Sequence, residues 1–213
     1  MWGYRSDYLF YLVFQHLVNS FMHNLALPTP TNTQQKAALV IRQADKADIR
    51  LCSQIDARYE TDYVWQMHYL NQDRFVQITF NQLRLPRTMM VDYPYQSQEL
   101  QALFEQSSQL LVAMYQNRLL GCLQANIDQA EQVLTIHHLL VYPEMRQRGI
   151  GYALLKAIKA QAIRQGYRQL LAVMQTKNYP AISLAQKAGL MYCGYNDHHF
   201  HNGDIALNFA LKL

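Results

Sequence analysis

The sequence is poor in charge, in cysteine and in glycine, and it has no long uninterrupted apolar run. Only 16% of its 213 residues are charged, and the formal net charge of +4 arises without any cluster of Lys and Arg. A nucleic-acid-binding surface needs such a basic patch, so no nucleic acid partner is expected. Eight glycines and six prolines exclude collagen-like and linker-like chains, and 50% hydrophobic residues exclude a disordered one.

The three cysteines, Cys52, Cys122 and Cys193, are too few and too far apart for a disulfide framework or a C-x-x-C pair. Such isolated thiols are typical of a reducing compartment, and the sequence predicts a cytoplasmic protein. Each thiol is expected to behave as a small buried apolar side chain. The Cys and His spacing of a structural zinc site is missing, so no metal is expected.

The first 37 residues differ from the rest and are interpreted as an appendage. An apolar run over 8–14 is interrupted by Gln15 and His16, which leaves it short of the roughly 20 apolar residues of a membrane span. Residues 28–35 are polar, contain Pro and Thr, and predict a linker. The domain proper is therefore expected to cover 38–213, a length sufficient for one sizeable core.

Within the appendage, four apolar residues recur at helical spacing: Phe10, Phe14, Leu17 and Phe21. This pattern favours an amphipathic helix. A signal peptide stays open as an alternative because Arg5 precedes the apolar run, although no clear cleavage motif follows it. The helix could serve a partner or a membrane surface, and membrane contact is the less favoured interpretation.

What the sequence has in abundance is Gln, with 24 residues, and Tyr, with fifteen. Residues 38–42 predict a strand, and a helical pattern follows from 45 toward 59. Residues 74–93 alternate apolar and polar as strands do, with Pro86 as a break. A short helix is predicted over 98–106 with Ser97 as its N-cap.

The pattern is most regular after residue 109. Strands are predicted over 110–115 and 119–127, joined as a hairpin, and over 132–142, 168–175, 191–195 and 204–213. A helix is predicted from about 149 to 165, with Gly166 just after it, and a second one begins near Pro180 and ends at Gly189. Strand, helix and strand over 132–175 form a βαβ unit, which requires a parallel pair in an otherwise antiparallel sheet.

A glycine-containing turn joins the strand to the helix of this βαβ unit. Backbone N–H groups at the start of a helix bind anions, Gly149 and Gly151 allow close approach, and Arg146 and Arg148 add positive charge. The turn is not a Walker A loop, because no Lys-Ser or Lys-Thr follows. It is not the dinucleotide fingerprint either, since the third glycine of that motif is replaced by Leu154.

The segment R-Q-R-G-I-G, preceded by L-L-V-Y-P-E, resembles the acyl-CoA signature of the GNAT superfamily of N-acyltransferases. Residues 178–190 resemble the second CoA-side motif of the same family, in the expected order and spacing. The resemblance covers 38–213 and is strongest over 132–195. It implies an α/β fold of the α+β kind, with a mixed, mostly antiparallel central sheet, a parallel pair that splays at the CoA site, and helices on both faces.

The resemblance also implies acetyl-CoA as the cosubstrate and a set of contacts with it. The CoA pyrophosphate would lie on the turn formed by Arg146, Gln147, Arg148, Gly149, Ile150 and Gly151. The thioester would lie beside Leu140 and Val141, and Asn178 opens the second motif. The pantetheine arm would enter where the strands over 133–142 and 168–175 separate.

The implied reaction is direct attack of a primary amine, on a small molecule or on a protein or peptide, at the acetyl carbonyl. Many family members place a Tyr as general acid where this chain has Ala185. Three explanations stay open: an acid from elsewhere, with Tyr192 and Tyr195 as candidates; departure of the thiolate without an acid; or an acyl-CoA-binding module with little or no turnover. A monomer and a homodimer are equally compatible with the sequence.

Two histidines, His137 and His138, are candidates for the base that deprotonates the amine, and a hydrogen-bonded structural role is the alternative for each. Adjacent strand residues face opposite sides, so at most one of them is expected to reach the acceptor. The loop with His198, His199 and His201 is interpreted as solvated, with a metal site or an acceptor rim as alternatives. Four aromatic residues are expected to pack in the core and against helices, or to contribute to an acceptor pocket: Tyr59, Tyr63, Trp65 and Tyr69.

Overall fold

A computed structural model describes residues 38–213 of the chain. The helix and linker predicted within residues 1–37 lie outside the described residues. The strands are β1 (Val40–Gln43), β2 (Tyr59–Gln72), β3 (Phe75–Val91), β4 (Gln109–Tyr115), β5 (Arg118–Asp128), β6 (Val133–Val141), β7 (Gln169–Gln175), β8 (Met191–Asn196) and β9 (Ala206–Lys212). The helices are α1 (Lys46–Ser53), α2 (Ser97–Glu105), α3 (Ile150–Arg164) and α4 (Tyr179–Lys187).

Seven strands form the central sheet in the order β1-β4-β5-β6-β7-β9-β8. Only β6 and β7 pair in parallel, and every other neighbouring pair in this sheet is antiparallel. The parallel pair arises because α3 carries the chain from the end of β6 back to the start of β7. The predicted mixed, mostly antiparallel sheet is confirmed.

The helices cover both faces of this sheet, as predicted. On one face α1 and α2 bury Cys52, Leu100 and Phe104 against β4, β5 and β6. On the other face α3 and α4 contribute Leu154 and Ile182 to a larger cluster. Each fully buried Leu, Ile or Phe stabilises the fold by about 1.5–3 kcal/mol relative to an exposed one, so these two clusters hold the helices on the sheet.

Most helix ends lie where the local sequence predicts them. Gly166 and Gly189 follow α3 and α4 with φ angles of +75° and +89°, a conformation that glycine adopts without steric cost. The prediction for α2 was wrong by one residue. Its N-cap is Gln96, whose backbone N–H donates to the Glu99 carboxylate at 2.6 Å, and Ser97 is already helical.

The aromatic region after residue 58 does not form the helix packing expected for it. Residues of β2 and β3 pair with each other as a long two-stranded ribbon outside the central sheet. Pro86 does not end β3; it lies where the pairing register breaks, since Thr61 pairs with Met89 but Tyr63 pairs with Arg84. Proline has no N–H to donate to a ladder, so a bulge absorbs it while the strand continues.

The three thiols are free, but they do not share one environment. Cys52 and Cys122 are buried in the cluster between α1 and the sheet, as predicted. The prediction for Cys193 was wrong: it is exposed on β8, because β8 is an edge strand whose residues are only partly covered. Of the helices within residues 38–213, none combines the length and the apolar character needed to cross a membrane.

Candidate active site

The parallel strands β6 and β7 separate halfway along their length. Their pairing runs from Val133 opposite Gln169 to Ile136 opposite Ala172 and ends there. At the same point β6 carries one extra residue relative to β5, because Ala125 pairs with Ile136 whereas Gln124 pairs with His138. This is a β-bulge at His137, and a bulge bends its strand and strengthens the local twist.

The bulge also changes which residues of β6 face which side. Before it, Leu134 and Ile136 pack in the cluster beneath α3; after it, Leu140 packs in the opposite cluster with α1 and α2. Leu139 and Val141 consequently face the gap between β6 and β7. The expectation that Leu140 lines the thioester is therefore not met, since one inserted residue inverts the strand's alternation.

The gap between the two strands opens into a cleft of about 850 Å³. Its walls come from the loop before β2, from β2 itself, from β6, β7 and α4, and from the turn before α3. They include Tyr59 and Glu60 of β2, His137, Leu139 and Val141 of β6, Gly149 and Gly151 at the start of α3, Val173 and Met174 of β7, and Leu184 and Ala185 of α4. Residues far apart in the sequence thus surround one continuous space.

One end of the cleft is the turn between β6 and α3. Gln147 and Gly149 have positive φ angles, +57° and +79°, which reverse the chain tightly before α3 begins at Ile150. The first bond along the helix goes from the Ala153 N–H to the Gly149 carbonyl at 2.9 Å. The N–H groups of a first helical turn have no acceptor within the helix, and together with the helix dipole they favour an anion at this end.

The Arg146 side chain, which was expected to face a phosphate, bonds instead to backbone carbonyls of the protein. Its guanidinium donates to the carbonyls of Val141 at 3.0 Å, of Arg58 at 2.6 Å and of Asp56. Burial lowers the pKa of Arg146 without removing its charge. This side chain therefore fastens the loop before β2 to the turn before α3, and in this way it joins two walls of the cleft.

Two other residues of the predicted CoA contact set also have structural roles. A Cβ added at Gly151 would lie 3.0 Å from a methyl of Leu184 and 3.2 Å from one of Leu139, so glycine allows α3 to approach α4 and β6 closely. The Asn178 carboxamide oxygen accepts from the Ala181 N–H at 3.1 Å and caps α4. Both motifs thus also position the helices that form the cleft.

The two candidate bases are placed in different environments. His137 lines the cleft at the bulge, where burial and the nearby His199 lower its pKa below the ordinary 6.5. His138 is buried on the other side, with its Nδ1 2.8 Å from the Tyr93 hydroxyl and its ring edge-on to Tyr95. Burial lowers the pKa of His138 to about 3, so it stays neutral and shares a hydrogen bond with the Tyr93 hydroxyl.

The two candidate acids lie outside the cleft. Tyr192 contacts Trp65 and Phe209, and Tyr195 packs edge-on against Phe80, with ring centroids 5.6 Å apart. These contacts are made with the β2–β3 ribbon and with β9, on the sheet edge away from the bulge. Neither tyrosine is therefore placed to replace the side chain missing at Ala185, which faces the cleft.

A buried hydrogen-bond chain beside the cleft was not anticipated from the sequence. The Tyr59 hydroxyl donates to the Gln175 oxygen at 3.0 Å, and the Gln175 amide donates to Asp204 at 2.6 Å. Asp204 also pairs with Lys177. Burial raises the pKa of the Tyr59 hydroxyl, which keeps it protonated. No local pattern predicts this chain, because Tyr59 and Gln175 are 116 residues apart.

The histidine-containing loop between β8 and β9 lies near the bulge, since its His199 is close enough to His137 to lower the pKa of that residue. His199 packs against Phe200 and His201 lies edge-on to Tyr95, while His198 is exposed and 3.8 Å from the Asp197 carboxylate. Within residues 38–213, no group of three or more His, Cys, Asp or Glu side chains is arranged to hold a metal ion. Of this loop, the His199 imidazole is the side chain that acts on His137.

The model of the Acetyltransferase (GNAT) family matches residues 72–190, which is more than half of the chain. The chain belongs to this family. Acetyl-CoA is the cosubstrate of GNAT acetyltransferases, and the cleft between β6 and β7 combines an anion-binding turn with an apolar passage. No curated protein matches the chain by sequence.

Solved structures share the fold of this GNAT chain at low sequence identity. Nourseothricin acetyltransferase has a TM-score of 0.70 at 20% identity, covering 82% of this chain and 98% of its own. A putative streptothricin acetyltransferase from Bacillus anthracis, in complex with acetyl coenzyme A, has a TM-score of 0.64 at 16% identity, with coverages of 83% and 100%. The ribosomal-protein-S18-alanine N-acetyltransferase from Escherichia coli has a TM-score of 0.58 at 13% identity, with coverages of 82% and 94%.

Proposed function

We propose that residues 38–213 form one acyltransferase domain that moves the acetyl group of acetyl-CoA to a primary amine. One observation carries the proposal. A single cleft connects the anion-binding turn before α3 with His137, a neutral imidazole at the point where β6 and β7 separate. Such a cleft has room for an elongated acyl thioester and leaves its reactive end beside a base.

In this proposal the CoA pyrophosphate lies on the backbone of the turn, from Gln147 to Gly151. The backbone there supplies N–H donors and the positive end of the α3 dipole, and Arg148 adds a charge. Leu139 and Val141, rather than Leu140, form the β6 wall along the pantetheine arm. Gly151 and Asn178 contribute by holding α3 and α4 in place.

The acceptor amine attacks the acetyl carbonyl directly. The new N–C bond forms as the C–S bond breaks, and the proton released from nitrogen passes to His137, directly or through water. A histidine with a pKa below 6.5 is unprotonated at neutral pH and is therefore ready to accept it. The bulge places this imidazole at the end of the paired region, where the two strands leave space for the acceptor.

The leaving thiolate departs without a side-chain acid. Ala185 stands at the family's acid position, and the candidates Tyr192 and Tyr195 pack elsewhere. Tyr59 faces the cleft, but its proton is donated to Gln175, whose orientation Asp204 holds. Of the three explanations left open by the sequence, this arrangement supports release of CoA as the thiolate.

The acceptor is tested by measuring CoA thiol release from acetyl-CoA across a panel of amines. Nourseothricin and streptothricin come first, because proteins of similar fold carry those names, followed by polyamines, aminoglycosides and peptides with N-terminal alanine. We expect turnover with at least one amine. The product, mass-shifted by one acetyl group, identifies whether the acceptor is a small molecule or a peptide.

The second candidate function is an acyl-CoA-binding module with little or no turnover, and Ala185 is the observation that favours it. Calorimetry with acetyl-CoA separates the two functions. Binding together with turnover supports the transferase, whereas binding without turnover on any acceptor supports the module. Absence of any binding would contradict the assignment of the cleft to CoA.

The three free thiols support the cytoplasm as the compartment of this domain. Cys193 is exposed and has no partner cysteine, a state that an oxidising compartment would not preserve. Alkylation of intact cells followed by mass spectrometry tests this placement. We expect Cys193 to be found as a reduced thiol.

A further inference from the structure

The β2–β3 ribbon has two unlike faces. Directly opposite residues of an antiparallel pair project to the same side. One side carries the pairs Trp65–Gln82, Met67–Phe80, Tyr69–Ile78 and Asn71–Val76, and the other carries Gln66–Asn81, His68–Thr79, Leu70–Gln77 and Gln72–Phe75. The first side is named the apolar face; the second has a polar centre that lies between the apolar pair Val64–Leu83 at its base and the apolar residues near the turn.

The base of the apolar face packs on the body of the domain. The Trp65 ring lies edge-on to Phe209 with centroids 5.7 Å apart, and Phe80 contacts Tyr192 at 5.7 Å. The Trp65 backbone N–H also donates to the Thr176 carbonyl at 2.9 Å, just beyond β7. This half of the ribbon is therefore anchored to the central sheet.

The outer half of the apolar face is less covered by residues 38–213, and within it only Ile78 is half-buried. Tyr69 is 56% exposed and Val76 is 55% exposed, although both continue the face that Trp65 and Phe80 begin. No charged residue belongs to its cross-strand pairs. A two-stranded ribbon alone is at most marginally stable in water, so an uncovered apolar face this far from the core calls for a partner.

We propose that residues 8–21 of the same chain cover the outer half of the apolar face. This segment is rich in apolar side chains, and it contains no Asp, Glu, Lys or Arg. Its residues Phe10, Phe14 and Phe21 share the stripe of the predicted helix. An uncharged apolar segment suits an uncharged apolar face, because neither has to lose hydration around an ion on contact.

The dimensions of the two surfaces agree. The ribbon beyond the anchored Met67–Phe80 pair, from His68 to Gln72, spans five residues of β2, about 17 Å at roughly 3.4 Å per residue. A helix over residues 8–21 would be about 21 Å long at 1.5 Å per residue. One such helix would therefore cover the exposed part of the face from end to end.

The connection is also long enough. Residues 22–37 lie between the segment and β1, and sixteen extended residues reach about 55 Å. Crossing the sheet from β1 to β8, beside which the ribbon packs, takes six strand spacings, or about 29 Å. The segment can thus reach the ribbon of its own chain.

A second copy of the chain fits the face less well. The exposed area is about 17 Å by 10 Å, so two copies would bury on the order of 350–700 Å², below the roughly 1,200 Å² of stable complexes. A tethered segment does not need that area, because a flexible linker gives it an effective concentration of about a millimolar or more. The small patch therefore favours an intramolecular partner.

Photo-crosslinking in the full chain tests this proposal. A benzophenone-bearing phenylalanine replaces Tyr69 on the apolar face in one variant and His68 on the polar side in a matched control. We expect irradiation of the Tyr69 variant to link position 69 to residues 8–21 within one chain, as read by mass spectrometry of the monomer band. The His68 variant should give at least fivefold fewer of these links.

A second set of variants checks that the segment's apolar stripe makes the contact. Phe10→Ser, Phe14→Ser and Phe21→Ser together should reduce the link to position 69 at least fivefold. The control set Gln15→Ser, Asn19→Ser and Ser20→Ala, which changes polar positions of the same segment, should leave it unchanged. Neither set touches the cleft, so the outcome does not depend on the proposed acetyl transfer.

Four results would overturn the proposal. Links between position 69 of two chains would mean that a second copy covers the face. Links from residues 8–21 to position 69 of another chain would mean that the segment is domain-swapped between two chains. Binding of the full chain to anionic vesicles with loss of the internal link would assign the segment to a membrane surface. Equal linking from positions 68 and 69 would mean that the segment does not select the apolar face.

Discussion

The two ends of the cleft are constructed in different ways. At the turn, one short stretch of chain from Val141 to Gly151 supplies an anion site from backbone groups. At the other end, around His137, the β6 bulge, the start of β2 and the β8–β9 loop come together from three separate regions of the chain. A local signature can encode the first end, whereas only the folded chain assembles the second.

This difference separates a site that local backbone geometry specifies from one that side chains specify. A backbone site depends on φ angles and a helix start, which are set within a few consecutive residues. A side-chain site depends on which residues the ribbon and the loops present, and these can change without altering the turn. The four predictions below separate the contributions of the two ends, from the largest expected effect to the smallest.

Replacing His137 by Gln should lower kcat/KM for the acceptor by about 10²–10⁴-fold, because the base at the bulge is lost. CoA affinity, measured by calorimetry, should remain within about twofold, since the turn end is untouched. His198→Gln, on the exposed part of the β8–β9 loop, is the matched control. Equal loss of CoA affinity and turnover would show that the two ends are not separable.

The same variant has a signature in pH. Protonation of His137 at low pH removes the base, so turnover of the unmodified chain should fall below a pKa that is itself under 6.5. Above that pH the contribution of His137 should be constant. A profile measured on His137→Gln should lack this acidic limb, and persistence of the limb would assign it to another group.

Replacing Gly149 by Val should weaken CoA binding by about 100-fold or more, roughly 2.7 kcal/mol. A β-branched residue resists the +79° φ angle of this position, and its side chain would project beside the N–H groups of the turn. Gly166→Val is a close control, because Gly166 lies at the other end of α3 with a φ of +75° and open space around it. Equal weakening in both variants would indicate helix strain rather than a blocked anion site.

Replacing Arg146 by Lys should reduce CoA affinity about tenfold and the free energy of unfolding by about 1–3 kcal/mol. Lysine keeps the charge but cannot reproduce a guanidinium that bonds three carbonyls at once. Arg148→Lys should change both quantities less. Calorimetry measures the CoA affinity, and urea unfolding measures the free energy of unfolding. If neither Arg146→Lys nor Arg148→Lys changes these quantities, charge alone matters at the turn.

The smallest effect concerns stability at acidic pH. His138 has a pKa of about 3 in the fold and about 6.5 in the unfolded chain, so the unfolded state binds the proton more readily. Its contribution is complete above pH 6.5 and is lost as pH falls toward 3. Between pH 6.5 and 5.5 this costs about 1 kcal/mol.

Urea unfolding at these two pH values measures the effect. The unmodified chain should lose more free energy of unfolding than His138→Gln does over the same interval. His137→Gln should remove a smaller part of the pH dependence, because His137 is less buried. Parallel pH curves for all three chains would contradict the burial argument.

Particular elements mark how far sequence reasoning reaches. Gly149, Gly166, Pro180 and Gly189 predict helix ends because their backbone preferences act within a few residues. The strands after residue 109 follow from local alternation, and the parallel pairing of β6 with β7 follows from the βαβ connection. The turn before α3, where we propose that acyl-CoA binds, belongs to the same class, since strand, glycine and helix start are consecutive.

Other elements escape such reasoning for physical reasons. The bulge at His137 leaves no sign in the sequence, yet it moves Leu140 out of the cleft and His138 into the core. The Arg146 side chain finds carbonyls of the loop before β2, some 90 residues away. The sequence also does not show that Tyr192 packs against the ribbon, away from the cleft.

By itself the sequence determined a mixed α/β fold and predicted an anion-binding turn before α3, because backbone preferences, alternation and helix spacing are local properties. Only the tertiary structure decided which histidine faces the cleft, which tyrosines do not, and where the aromatic ribbon lies. Those outcomes depend on register and on long-range packing. A single inserted residue exchanges the two faces of a strand, and no short stretch of chain encodes the distant residues against which it packs.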